Sequence, residues 1–178
     1  DCTGPWCSKR LDAAVQRRDP PGVSAMDLIV WRHAEAHDAE HGDDDMQRPL
    51  TPRGRKQAER MAAWLESQLP QGTRILSSPA VRAEQTVRAL ARKYKVRDAL
   101  SPGASVQDVL ETSGWPDAKY PVLLVGHQPA LGGVIAQLLR MPDDACAIRK
   151  GAVWWLRRRS REGLDQTVLL AVTSPEKL

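Results

Sequence analysis

No run of about eighteen apolar residues occurs anywhere in the 178-residue sequence, so no segment reads as a membrane-spanning helix. Residues 1–25 lack the continuous apolar stretch of a secretion signal. Cysteine is scarce: Cys2, Cys7 and Cys146 form an odd set without the spacing of a zinc cluster, and reduced thiols in a cytoplasmic protein are expected. No repeat appears beyond an alternation of strand-like and helix-like segments. Strong charge of either sign is also missing. The net charge of +4, from 26 Lys plus Arg against 22 Asp plus Glu, is compatible with an anionic substrate or acidic partner and too small to call for nucleic acid. With 42% hydrophobic and 27% charged residues, the chain reads as one soluble globular domain.

What is present centres on Asp27 to Glu35, DLIVWRHAE. Leu28, Ile29, Val30 and Trp31 have the length and the β-branched and aromatic character of a buried strand, which places Arg32 and His33 at its carboxyl end. Open α/β sheets keep their chemistry at that end. The 25 residues before Met26 are broken by Asp19-Pro20-Pro21-Gly22 and read as an irregular extension, natural or added, with the domain proper over residues 26–178.

Residues 36–48, rich in acidic side chains, read as a solvated loop. Thr51-Pro52 predicts an N-cap and first helical proline, followed by Ala58, Met61, Ala62, Leu65 and Leu69 at helical spacing. Residues 73–77 predict a second strand. Ser78-Pro79 predicts another capped helix, with Ala83, Val87, Leu90, Ala91 and Tyr94 on one face. Residues 95–100 predict a short strand, and a brief helix carries Val106, Val109 and Leu110 as far as Gly114. Residues 121–125 are an apolar strand, after which Gly126-His127-Gln128-Pro129 leads into a helix with Leu131, Val134, Ile135, Leu138 and Leu139 inward. Residues 152–156 and 167–172, around a polar turn at 160–165, predict an antiparallel hairpin.

This rhythm is that of an α/β three-layer sandwich with a mainly parallel central sheet and a C-terminal antiparallel hairpin. Arg32-His33, the turn from Ser78 to Arg82, and Gly126-His127 then share one edge of the sheet. Arg32 and Arg82 each offer a planar fork for phosphate oxygens. A neutral His33 can attack phosphorus, and His127, as an imidazolium, can donate to the phosphoryl oxygens.

Arg32-His33-Ala34-Glu35-Ala36, Leu50-Thr51-Pro52-Arg53-Gly54, Ser77-Ser78-Pro79 with Arg82-Ala83-Glu84-Gln85-Thr86, and Gly126-His127-Gln128-Pro129, in that order, resemble the histidine phosphatase superfamily. The SixA-type phosphohistidine phosphatase branch is the best match, over essentially all of the chain after Met26. The resemblance implies a phosphoglycerate mutase-like fold and a phosphohistidine intermediate on His33. It also implies a phosphate pocket of Arg32, Arg82 and His127, a reaction without metal or other cofactor, and a phosphohistidine-bearing phosphotransfer protein as partner. Ala34 departs from the glycine of many members. The 44 residues between Arg82 and His127 leave no room for the helical subdomain of larger relatives. The general acid is therefore unassigned, with Glu35, Asp38 and Glu111 as candidates. A site poor in acids suits phosphohistidine, because imidazole leaves far more readily than an alkoxide.

Other readings remain. A small-molecule phosphatase or mutase of the same superfamily would use the same residues. His33, His37 and His41 recur every four residues and suggest metal ligands, although the order differs from H-E-x-x-H and the segment has little helical signal. Arg157-Arg158-Arg159 with Arg161 suggests a non-catalytic module for phosphate or nucleic acid. Trp154 and Trp155 are candidates for a subunit contact.

Overall fold

The computed structural model describes residues 25–39, 44–142, 146–161 and 163–178. The expected extension, with Cys2 and Cys7, lies outside these residues apart from Ala25, and so does His41. The strands are β1 (Ala25–Arg32), β2 (Arg74–Ser77), β3 (Lys95–Val96), β4 (Val122–Gly126), β5 (Val153–Arg161) and β6 (Leu164–Thr173), and the helices are α1 (Pro52–Gln68), α2 (Val81–Arg88), α3 (Val106–Ser113) and α4 (Ala130–Leu139).

The strands form one sheet in the order β3-β2-β4-β1-β5-β6. The first four are parallel, and β5 and β6 add as an antiparallel ribbon. Alternation along β1 divides the core: Leu28 and Val30 pack with Val109, Val134 and Ile135 on one face, whereas Ile29 and Trp31 pack with Met61, Leu65, Ala83 and Val87 on the other. Helices thus cover both faces, which explains the unbroken apolar runs Leu28 to Trp31 in β1 and Val122 to Val125 in β4. No helix among the described residues is long and apolar enough to cross a membrane.

Helix α1 starts as its sequence demands, with Thr51 Oγ1 accepting from the Gly54 N–H and Pro52 in the first turn. Helix α3 is closed by a Ser105–Asp108 capping box and a left-handed Gly114.

Three elements differ from expectation. Helix α2 begins at Val81, not after Ser78, because the Ser78 N–H continues the sheet ladder to the Val125 carbonyl. It also ends at Arg88, with Ala91 left-handed at φ 51, while Leu90 and Tyr94 reach the same apolar layer from the following loop. The apolar period therefore outlasts the helix. Strand β3 has only two residues, both exposed on the sheet edge, and gives way to a 3-10 turn, Asp98–Leu100, that buries Leu100. The hairpin is tighter and longer than expected, turning at Gly163 with φ 77, because polar residues 157–161 also pair across the ribbon.

Two arginines of the basic cluster on that ribbon are paired with carboxylates. Arg157 pairs through Nε (2.5 Å) and Nη2 (2.9 Å) with the buried Asp27, and Arg158 pairs with Asp165 and Asp117. Trp154 and Trp155 pack against opposite apolar layers, Trp155 buried and Trp154 half-buried.

Candidate active site

The parallel pairing of β1, β2 and β4 sets the functional edge. The His33 N–H donates to the Gly126 carbonyl (3.1 Å) and the Ser78 N–H to the Val125 carbonyl (2.9 Å), so the ends of β1 and β2 grip the end of β4 from its two sides. His127 follows directly. The His33 and His127 rings face each other with centroids 5.0 Å apart. His33, Arg82 and His127 are 6%, 3% and 5% exposed.

The loop after β1 is tied to α1 and α2 by residues of the recognised motifs. The Ala34 N–H donates to Thr86 Oγ1 (3.1 Å), the Leu50 N–H to Gln85 Oε1 (2.7 Å) and the Glu35 N–H to Gln57 Oε1 (3.0 Å). Ala34 is fully buried with Ala36, Leu50 and Ala58, so the methyl group in place of glycine is accommodated.

His33 Nδ1 lies 2.7 Å from the Ala34 carbonyl, which can only accept. The proton of the neutral ring therefore sits on Nδ1 and the lone pair on Nε2. Burial pushes the His33 pKa down to about 3 against that backbone bond, and the charges of Arg82, Arg32 and Lys150 push the same way. The ring is neutral at ordinary pH, as a nucleophile must be.

His127 departs from expectation. Burial, then His33, Arg82 and Arg32, push its pKa down to about 3, with Asp45 opposing, so it is not an imidazolium here. A donor remains nonetheless. Ser78 Oγ accepts from the Ala80 N–H (3.2 Å) and lies 2.7 Å from His127 Nε2. The hydroxyl keeps a second lone pair as well as its proton, so it can accept from Nε2 or donate to it; where it donates, the ring proton sits on Nδ1. Nδ1 is buried without a partner among the described residues, as are Nε of Arg32 and Nε of Arg82. The terminal nitrogens of both arginines are partly used: Arg32 Nη1 donates to the Ile148 carbonyl (2.5 Å), and Arg82 Nη1 and Nη2 donate to the Asp45 carbonyl and carboxylate.

The carboxylates singled out as acids are engaged elsewhere or exposed. Glu35 Oε1 accepts from Thr51 Oγ1 (2.8 Å) and Oε2 lies 3.5 Å from Arg53, Asp38 is exposed, and Glu111 accepts from Gln107 on the outer face of α3. A carboxylate that does meet a pocket arginine is Asp45, whose Oδ2 pairs with Arg82 Nη2 at 2.8 Å. Sequence reasoning passed over it because it sits among other acidic residues in a loop. Burial raises its pKa, but hydrogen bonds from Arg82 and Arg48 hold it below the ordinary value, so it is no proton donor. Lys150, whose charge acts on His33, was also missed, and Ser78 was read as part of the edge turn without its contact to His127. Among the described residues no group of three His, Cys, Asp or Glu side chains is placed to hold a metal ion.

A parallel-sheet edge carrying two facing buried imidazoles and two arginines defines a class, and comparison with known proteins agrees. Residues 28–104 match the family model for the histidine phosphatase superfamily (branch 1), and the chain belongs to that superfamily. Within it, the chain is a phosphatase of the SixA-type branch. It is 33% identical over 129 residues to the phosphohistidine phosphatase SixA homolog of Haemophilus influenzae, covering 64% of this chain and 77% of that one. It is 30% identical over 127 residues to phosphohistidine phosphatase SixA of Escherichia coli, covering 64% and 74%. Among solved structures, the protein histidine phosphatase SixA complexed with tungstate superposes with a TM-score of 0.69 at 26% identity, over 84% of this chain and 97% of that one.

Proposed function

We propose that residues 26–178 form a catalytic domain that removes the phosphoryl group from a phosphohistidine-bearing protein by way of a covalent intermediate on His33. The observation that carries this reading is that three buried nitrogen atoms, Arg32 Nε, Arg82 Nε and His127 Nδ1, have no partner among the described residues, on side chains close enough to the His33 ring to act on its charge or stack beside it, while His33 Nε2 holds a lone pair. A tetrahedral oxyanion satisfies such donors, and tungstate, bound by a related structure, is one.

In the first step the His33 Nε2 lone pair attacks phosphorus in line and a P–N bond forms, while the P–N bond to the substrate ring, which carries a proton on its other nitrogen, breaks with its electron pair going to the departing nitrogen. Neutral imidazole thus leaves, and the phosphorylated His33 ring keeps its Nδ1 proton. The arginines and His127 Nδ1–H hold the equatorial oxygens as charge shifts through transfer. In the second step water attacks phosphorus, the P–Nε2 bond breaks, and inorganic phosphate leaves with the proton of water distributed between phosphate and solvent. Ionised Asp45 supplies no acid. That favours a leaving group such as imidazole, whose protonated form has a pKa near ~6.5, over a strongly basic alkoxide.

The test is a quenched reaction with a radiolabelled phosphohistidine-bearing phosphotransfer protein. Label passing transiently to His33, and failing to do so in His33→Ala, is the expected result. Release of phosphate without labelled enzyme, or turnover of sugar phosphates far faster than of the phosphoprotein, overturns the reading.

A further inference from the structure

Asp45 holds Arg82 in a way the proposed reaction does not by itself explain. A guanidinium has two edges able to make paired hydrogen bonds: the end-on edge, Nη1 with Nη2, and the side-on edge, Nε with Nη2. Asp45 occupies the end-on edge from both its backbone and its side chain, with Nη1 donating to the carbonyl and Nη2 to Oδ2 at 2.8 Å. Nε, on the other edge, is buried and unpartnered among the described residues.

Asp45 is itself fixed. It opens a 3-10 turn, Asp45–Gln47, in which Asp44 Oδ1 accepts from the Met46 N–H (2.9 Å). Its other carboxylate oxygen, Oδ1, accepts from Arg48 Nε at 2.8 Å and Nη2 at 2.7 Å, and Arg48 Nη1 reaches back to the His37 carbonyl at 2.6 Å. The carboxylate bridges a half-buried arginine and a nearly inaccessible one.

We propose that Asp45 is a positioning residue that turns the side-on edge of Arg82 toward the phosphoryl group. The proposal rests on the reading of Arg82 as a phosphate ligand. The opposite view, that the carboxylate competes with phosphate for Arg82, meets two observations. The edge it takes is not the edge carrying the unpartnered nitrogen. Its charge is also balanced by Arg48, so the Asp45, Arg48 and Arg82 cluster keeps a net positive charge. Removing the carboxylate leaves two guanidinium groups facing each other without their bridge and frees a flexible side chain to sample other rotamers. Preorganisation is lost while the formal attraction for an anion rises, and the proposal is that the first effect outweighs the second.

The test uses the full chain and competitive inhibition by inorganic phosphate and orthovanadate, with thermal unfolding measured alongside. Asp45→Ala and the milder Asp45→Asn are expected to weaken both inhibitors, by roughly tenfold for Ala and less for Asn, and Asp45→Glu to recover part of the loss. In an Arg82→Lys background Asp45→Ala should add little, because there is no fork left to orient. Unchanged or tighter inhibition in Asp45→Ala, or effects that simply add in the double variant, overturns the positioning role. Wild-type inhibition of Arg82→Lys itself overturns both this proposal and the pocket beneath it, which separates the two failures.

Discussion

Ser78 Oγ and His127 Nε2 lie 2.7 Å apart, although 49 residues separate them in the chain. A hydroxyl that donates to Nε2 keeps the ring proton on Nδ1. Ser78→Ala keeps the backbone bond to Val125 and removes this contact together with the bond from the Ala80 N–H. We expect phosphatase activity and oxyanion affinity to fall by about tenfold, the order of one buried hydrogen bond, with little change in fold. Steady-state kinetics with phosphate inhibition checks this, and undiminished affinity in the alanine variant contradicts it.

Acid should destabilise the protein through the two imidazoles before most carboxylates titrate. Both folded-state pKa values are pushed down to about 3, from an ordinary 6.5, with burial the largest cause. Between those values the unfolded chain binds protons that the folded chain refuses, so stability is greatest above 6.5 and declines as pH drops toward 3. Calorimetry should show Tm decreasing from pH 7 to pH 4.5, and His33→Asn should make that decrease shallower. An equal slope in the variant counts against the assignment.

Arg82→Lys substitutes one ammonium for two guanidinium edges. A lysine that pairs with Asp45 has no second, rigid edge to offer, and the transition state should lose roughly 2 to 4 kcal/mol, as when an oxyanion donor is removed. The corresponding drop in kcat/KM is about thirtyfold to a thousandfold. Turnover at the native rate would remove Arg82 from the pocket's chemistry.

Gly54 is fixed by its surroundings. A Cβ there would lie 1.9 Å from the Glu35 carbonyl oxygen, a backbone atom two residues beyond His33. Gly54→Ala must push the start of α1 away from that loop and should cost at least the 1 to 3 kcal/mol typical of overpacking. Urea unfolding together with activity is the measurement, with both expected to decline.

Much of this architecture is visible in the chain itself. The four apolar residues of β1 are buried on both faces, Thr51-Pro52 caps α1 as written, and the motifs that end β1, β2 and β4 meet at one edge. Local signals fail where a distant partner competes for the same group. Ser78-Pro79 has the composition of a helix start, yet its N–H belongs to the sheet and its hydroxyl to His127. Asp45 resembles its acidic neighbours, and only the fold brings Arg82, 37 residues away, against it. The downward push on the His127 pKa is hidden for a similar reason, since residue type says nothing of burial or of nearby cations.

The carbonyls of Val125 and Gly126, consecutive in β4, anchor Ser78 on one side and His33 on the other. The spacing between His33 and the residue whose hydroxyl meets the His127 ring is therefore set by peptide dimensions in the middle of the sheet, so these two positions keep their separation however the flanking loops settle.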